Sequence, residues 1–236
     1  MFSANYDALS DPGRAQALRL GQHVAERMLA AGRPGFDAVF TGPAVRHVDT
    51  AALAGEGFAR AGLAFPDPVV IPGFDEHDGE GLVMAALAAV GRGDGERLGL
   101  GPELGGFAAV AMNGGADLRE RSRAWQRLFE AVMRRWLAGG IELEGVESWS
   151  SFHGRVRAAF LEVLERGRGD VLVVTSVGPV GVILLEVLGV GAQRAFEQAW
   201  RVYNTGVSRV VHGGGRVTLD GFNDVGHLGY GEWTHR

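Results

Sequence analysis

Apolar residues recur along this chain at two spacings, one helical and one extended, and the two alternate. Leu18, Val24, Ala25, Met28 and Leu29 make one face of a helix over Asp11–Ala31, with Ser10 as N-cap and Pro12 in the first turn. Phe36–Phe40 is a short apolar run that reads as a buried strand. A second helix follows from Pro43 to about Ala61. Gly42 as its N-cap puts Pro43 at the first helical position, where a missing N–H costs nothing. Val69–Ile71 is a short strand stopped by Pro72-Gly73, and Phe74–Gly79 is a polar loop. From Leu82 to Gly140 the pattern is helical with glycine-rich breaks. Its clearest helix carries Leu118, Trp125, Leu128, Phe129, Val132 and Trp136.

Ser148–Glu165 is again amphipathic, with Phe152, Val156, Phe160, Leu161 and Val163 inward. Val171–Thr175 is the strongest strand, apolar on both faces as in a covered parallel sheet. Ser176-Val-Gly-Pro179 turns it into a helix over Val180–Leu188, and another helix lies around Ala192–Trp200. Gly206–Val211 and Arg216–Leu219 flank Gly213-Gly-Gly215 and read as a hairpin, while Phe222–Arg236 reads as an irregular tail. Strands alternating with helices predict an α/β fold, a mostly parallel sheet between helical layers. No repeat or linker divides the chain, so residues 1–236 read as one domain. The helical stretch at about 82–140 is an excursion from the sheet, either a cap or plain scaffold.

Composition narrows the chemistry. The chain has 236 residues and no cysteine, which removes disulfides, zinc–thiolate sites and thiol nucleophiles. All 23 basic residues are arginine, so lysine Schiff bases and the usual P-loop are excluded as well. A net charge of -5 argues against a nucleic-acid binder with a broad basic face. The N-terminal residues lack a basic region followed by an apolar core, and Val171–Val190 is interrupted by Thr175, Ser176, Pro179 and Glu186. A cytoplasmic protein without a membrane span is expected. No His-x-x-x-His or carboxylate cluster suggests a metal site, and no cofactor is expected.

Two strand–turn–helix units stand out, Phe40-Thr-Gly-Pro43 and Thr175-Ser-Val-Gly-Pro179. Each places a helix N-terminus, rich in free N–H groups, at the carboxyl edge of a strand. If the strands are near neighbours, the two ends converge on one anion site. Arg46 adds a guanidinium fork, Ser176 a hydroxyl, and the Asp75-Glu76 loop a carboxyl group. Taken locally, Arg46 is equally an ordinary exposed helical arginine. An anion clamp beside a carboxylic acid suits phosphoryl transfer.

In this arrangement the chain resembles the histidine phosphatase superfamily, also called phosphoglycerate-mutase-like. Tyr6-Asp-Ala-Leu-Ser10, with Gly13 and Gln16-Ala17, resembles the segment just after that family's Arg-His-Gly motif. Gly42-Pro-Ala-Val-Arg46, with Thr50-Ala51, is similar to its Ser-Pro-x-x-Arg-Ala-x-x-Thr-Ala motif. Phe74-Asp-Glu76 and Gly79 resemble its proton-donor loop, and Glu147-Ser148 with Arg155-Val156 its Gly-Glu-Ser helix start. Val174-Thr-Ser-Val-Gly178 falls where the family has Val-Ser-His-Gly-Gly. Asn204 and Phe222–Leu228 match its closing pattern.

The resemblance implies a three-layer α/β/α sandwich and metal-free phosphomonoester hydrolysis through a phosphohistidine, with Glu76 catalytic and Arg46 and Ser176 phosphate-binding. The partner implied is a small phosphorylated substrate or inorganic phosphate. Two departures qualify this. The Arg-His-Gly strand is missing from the sequence, so the longer form is expected to be the enzyme and these 236 residues to lack its nucleophile; Ser176 stands where the family has a second histidine. A non-catalytic phosphate-ester-binding protein and a mutase-type phosphotransferase are the other readings. His47 is turned roughly 100° from Arg46 by the helical period. It reads as an ordinary histidine, as do His23, His77, His153, His212, His227 and His235. Substrate identity and oligomeric state are open at this level.

Overall fold

The computed structural model describes residues 7–101, 103–115 and 117–235. Tyr6, where the resemblance begins, lies outside them. In chain order the elements are α1 (Asp11–Ala30), β1 (Ala38–Thr41), α2 (Val45–Arg60), β2 (Val69–Val70), α3 (Gly79–Gly91), α4 (Glu103–Met112) and α5 (Leu118–Leu137). There follow α6 (Trp149–Arg166), β3 (Val171–Val174), α7 (Val177–Leu188), α8 (Ala192–Ala199), β4 (Val207–Gly213) and β5 (Arg216–Asp224). Short 3-10 turns occupy Pro72–Phe74 and Tyr230–Glu232. The result is an α/β fold with a parallel sheet flanked by helices.

The sheet has the order β2-β1-β3, all parallel, and β4 and β5 form a separate antiparallel hairpin. Register sets up the site. Thr41 at the end of β1 lies opposite Val70 of β2 and Val174 of β3, so the carboxyl ends of all three strands share one edge. Both strand–turn–helix units therefore leave the sheet side by side.

Several local expectations shift. Ala44, not Gly42, is the N-cap of α2, so Pro43 precedes the helix and Arg46 is its second residue. The helix after β3 starts at Val177 with Ser176 as N-cap, which places Pro179 inside the first turn. A proline is tolerated there because the first-turn N–H groups have no intrahelical acceptor in any case. β3 is half-buried along its length instead of covered on both faces, and among the described residues it pairs on one side only, with β1. The tail is more regular than its sequence suggests. β5 runs on to Asp224, and the Gln16 amide of α1 donates to Glu232 O at 2.7 Å and to Thr234 Oγ1 at 3.1 Å.

The chain forms two compact units, residues 1–76 with 155–236, and residues 77–154. In the first, α1 crosses α2 closely because glycine stands at the crossing. A Cβ on Gly21 would lie 2.2 Å from the Ala54 carbonyl oxygen, and one on Gly57 2.5 Å from Gln22 N. Phe36, Phe58 and Phe65 close one end of this pair, with ring centroids 5.0 to 6.3 Å apart. Elsewhere in the unit, Leu184 of α7 and Ala195 and Ala199 of α8 pack with Leu219 and Phe222 of β5. In the second unit, α5 packs on α3 and α4 and buries Leu128, Val132, Met133 and Trp136. Among the described residues no helix is long and apolar enough to cross a membrane.

Candidate active site

The site is built on the shared strand edge of the first unit. At the end of β1 the chain turns through Gly42-Pro43 into α2, and the second residue of that helix is Arg46. Its side chain is 22 % exposed, and its guanidinium is held from two sides. Nη1 donates to Asp7 Oδ1 at 2.7 Å and Nη2 donates to Ser176 Oγ at 3.2 Å. The other Asp7 oxygen accepts from Val45 N at 3.0 Å, at the positive end of α2. Partial burial pushes the Asp7 carboxyl up, but the Val45 N–H and the Arg46 guanidinium outweigh it. The carboxyl ends below its ordinary value. One carboxylate thus rests on this helix end and on Arg46.

Ser176 sits opposite, at the end of β3. Serine at an N-cap normally bonds the first-turn amides, yet Ser176 makes no such bond. Its hydroxyl is taken by Arg46 and by His47 Nε2. The amide two residues on, Gly178 N, donates instead to Glu76 Oε2 at 3.1 Å. The carboxylate of Glu76 therefore lies at the N-terminus of α7, beside Ser176.

The Glu76 loop is fixed by Arg155 of α6. Its Nη1 donates to Gly73 O at 3.1 Å and Asp75 O at 2.8 Å, and its Nη2 to Glu76 O at 3.4 Å. Thr175 Oγ1 donates to Phe74 O at 2.9 Å, which ties the same loop to β3. Arg46, Ser176 and Glu76, read separately from the sequence, are brought together.

His47 is the buried one of the two ordinary kinds, solvated or core, that the sequence leaves open. It is buried, 3 % exposed, and its ring lies within this cluster. Gly42 makes room for it: a Cβ at position 42 would be 2.4 Å from His47 Nδ1 and 2.6 Å from Phe74 O. Burial and the neighbouring Arg46 charge push its pKa down to about 4, against the opposing pull of Glu76, Asp75 and Asp7. The imidazole is neutral at pH 7. The signal missed in the sequence was the glycine five residues before the histidine. The placement of Ser176 opposite it, 129 residues away in sequence, could not be read locally.

His77 stacks on Trp136 of the second unit at 5.1 Å, and His227 Nε2 bonds Thr205 Oγ1 at 2.8 Å. Asp7 and Arg155 were quoted from the sequence only as parts of motifs; the structure gives them work, holding Arg46 and the Glu76 loop. Among the described residues no group of three His, Cys, Asp or Glu side chains could hold a metal ion.

Residues 112–225 match the model of the histidine phosphatase superfamily (branch 1). No curated protein sequence matches the chain. Solved structures share its fold at low identity. A phosphoglycerate mutase from Bacillus anthracis superposes with a TM-score of 0.57 at 16% identity, over 93% of this chain and 83% of that one. A phosphoserine phosphatase from Entamoeba histolytica, solved with phosphoserine, gives 0.53 at 16% identity over 93% and 86%. A mycobacterial glucosyl-3-phosphoglycerate phosphatase, solved with inorganic phosphate, gives 0.54 at 16% identity over 94% and 89%. The match over residues 112–225 makes that part of the chain similar to the histidine phosphatase superfamily, and nearly the whole chain shares the fold of the phosphoglycerate mutase.

Proposed function

We propose that the chain recognises the phosphate group of a small phosphomonoester, in the manner of a histidine phosphatase. Arg46 supplies the charge, Ser176 a hydroxyl and the N-terminus of α7 its free amides. Glu76 is placed to protonate a leaving oxygen, because its carboxylate lies at that same helix end. The observation that carries the reading is the convergence of Arg46, Ser176 and Glu76 on one strand edge from three separate stretches of sequence. The phosphoserine and inorganic phosphate bound by two proteins of similar fold support the same ligand class.

Turnover through a phosphohistidine needs a histidine whose ring nitrogen is free to attack phosphorus. The sequence contains no Arg-His-Gly, and the histidine at the site, His47, is buried with Nε2 engaged by Ser176. The 236 residues are therefore expected to bind phosphate esters without hydrolysing them. Incubation with p-nitrophenyl phosphate separates the two properties. No nitrophenol release and no acid-labile phosphoprotein are expected; hydrolysis by this chain that disappears in Arg46→Ala would refute the non-catalytic half of the proposal.

A further inference from the structure

Three positions at which this chain departs from the quoted motifs meet in space. Gly42 stands for the motif's Ser, His47 for its Ala and Ser176 for its His. His47 comes from α2, yet its Nε2 is bonded to Ser176 at the end of β3, and the missing Cβ of Gly42 leaves the space its ring occupies. An imidazole lost from one strand end is thus present again, delivered from the neighbouring helix.

We propose that His47 is a positioning residue of the anion site: it donates its Nε2 proton to Ser176 Oγ, so that the serine hydroxyl must direct its own proton at the bound phosphate group. The inference rests on the phosphate-binding reading above. A hydroxyl has one proton to give and two lone pairs to receive. Arg46 can only donate, and it fills one lone pair of Ser176 at 3.2 Å. His47 either accepts the serine proton or fills the second lone pair, and Nδ1 decides between these. That nitrogen is buried and has no hydrogen-bond partner among the described residues. A proton there would be an orphaned buried N–H, which is rarer and costlier than an unpaired acceptor. The ring proton therefore belongs on Nε2. With both lone pairs filled, and with no bond to the first-turn amides of α7, the Ser176 hydroxyl is left as a donor to whatever anion sits between Arg46 and the helix end.

The charged groups around the ring are Arg46 on its own helix, Asp7 from the segment before α1, and Asp75 and Glu76 from the loop after β2; α7 presents Ser176 and its amide end. The free site holds the ring neutral at pH 7, and an arriving dianion favours the imidazolium. Both forms carry Nε2–H, so the donor survives, and anion binding takes up a proton in the acid range.

Sulfate is the suitable probe because it stays a dianion throughout that range. Protein labelled with nitrogen-15 at histidine is examined by NMR without and with sulfate, beside His47→Gln, His47→Leu, Ser176→Ala and Arg46→Ala. The expected result is an Nε2–H tautomer for His47 and a ring pKa that rises on sulfate binding. Affinity should fall roughly tenfold in His47→Leu and Ser176→Ala and be largely recovered in His47→Gln, whose amide N–H can replace the imidazole donor. An Nδ1–H tautomer would overturn the proposal even if the leucine variant does not fold. So would Arg46-dependent sulfate binding that leaves the His47 signals and pKa unmoved; the anion site itself would then stand. Absence of sulfate binding by the unaltered protein would overturn both.

Discussion

His47 shows how a single side chain can be settled by neighbours distant in sequence. Its burial has a measurable consequence for stability. The folded ring titrates at about 4 and the unfolded one at the ordinary 6.5. As pH falls below 6.5 the unfolded chain takes up a proton that the folded chain refuses, so stability drops until about pH 4 and then levels off. For a group this buried the loss is roughly 3 kcal/mol. Urea unfolding of the protein and of His47→Gln at successive pH values should show this extra loss in the former alone. Parallel curves for the two would contradict the account. That Arg46, Ser176 and Glu76 lie together was legible in the sequence because each belongs to a local strand–turn–helix or loop pattern at a strand end. His47 was not, because its partner is set by the pairing of β1 with β3.

Among the elements, α1 formed as its pattern predicts. Ser10 Oγ accepts from Gly13 N at 3.3 Å, and Ala17, Ala25 and Met28 are buried. The starts of α2 and α7 were misplaced by one or more residues because proline fits several positions before and within a first turn. What the hydrophobic pattern could not express is how near α1 and α2 approach. Gly21 and Gly57 contribute nothing to an apolar face, yet the crossing depends on their lacking a side chain. Gly21→Ala should cost about 1–3 kcal/mol, since the obstructing atom is the backbone oxygen of Ala54 and cannot rotate away. Gly154→Ala is the internal control. It lies in α6 with nothing within 4 Å of an added Cβ, and it should be neutral or stabilising by up to about 1 kcal/mol. Equal denaturant midpoints for the two variants would show that the crossing tolerates a methyl group.

At the level of the whole chain, a protein with net charge -5 gathers Arg46, Asp7, Asp75 and Glu76 at one sheet edge. The architecture explains how. Parallel strands in register bring the helix ends of α2 and α7 to the same edge, and Arg155 holds the Glu76 loop against it. Alternating strand and helix patterns made this class of fold legible, because parallel strands must be joined by crossovers. The order β2-β1-β3 was not legible, since nothing in a short apolar run names its neighbour. Most of the remaining ion pairs, such as Arg14–Asp49 and Arg27–Asp224, are exposed and add little to stability. The central claim is that Arg46 and Ser176 form a phosphate site, and calorimetric titration with inorganic phosphate at low ionic strength tests it most directly. The account predicts saturable binding by the 236-residue chain, weakened at least about tenfold in Arg46→Ala. Absence of binding, or equal affinity in the two proteins, would contradict it.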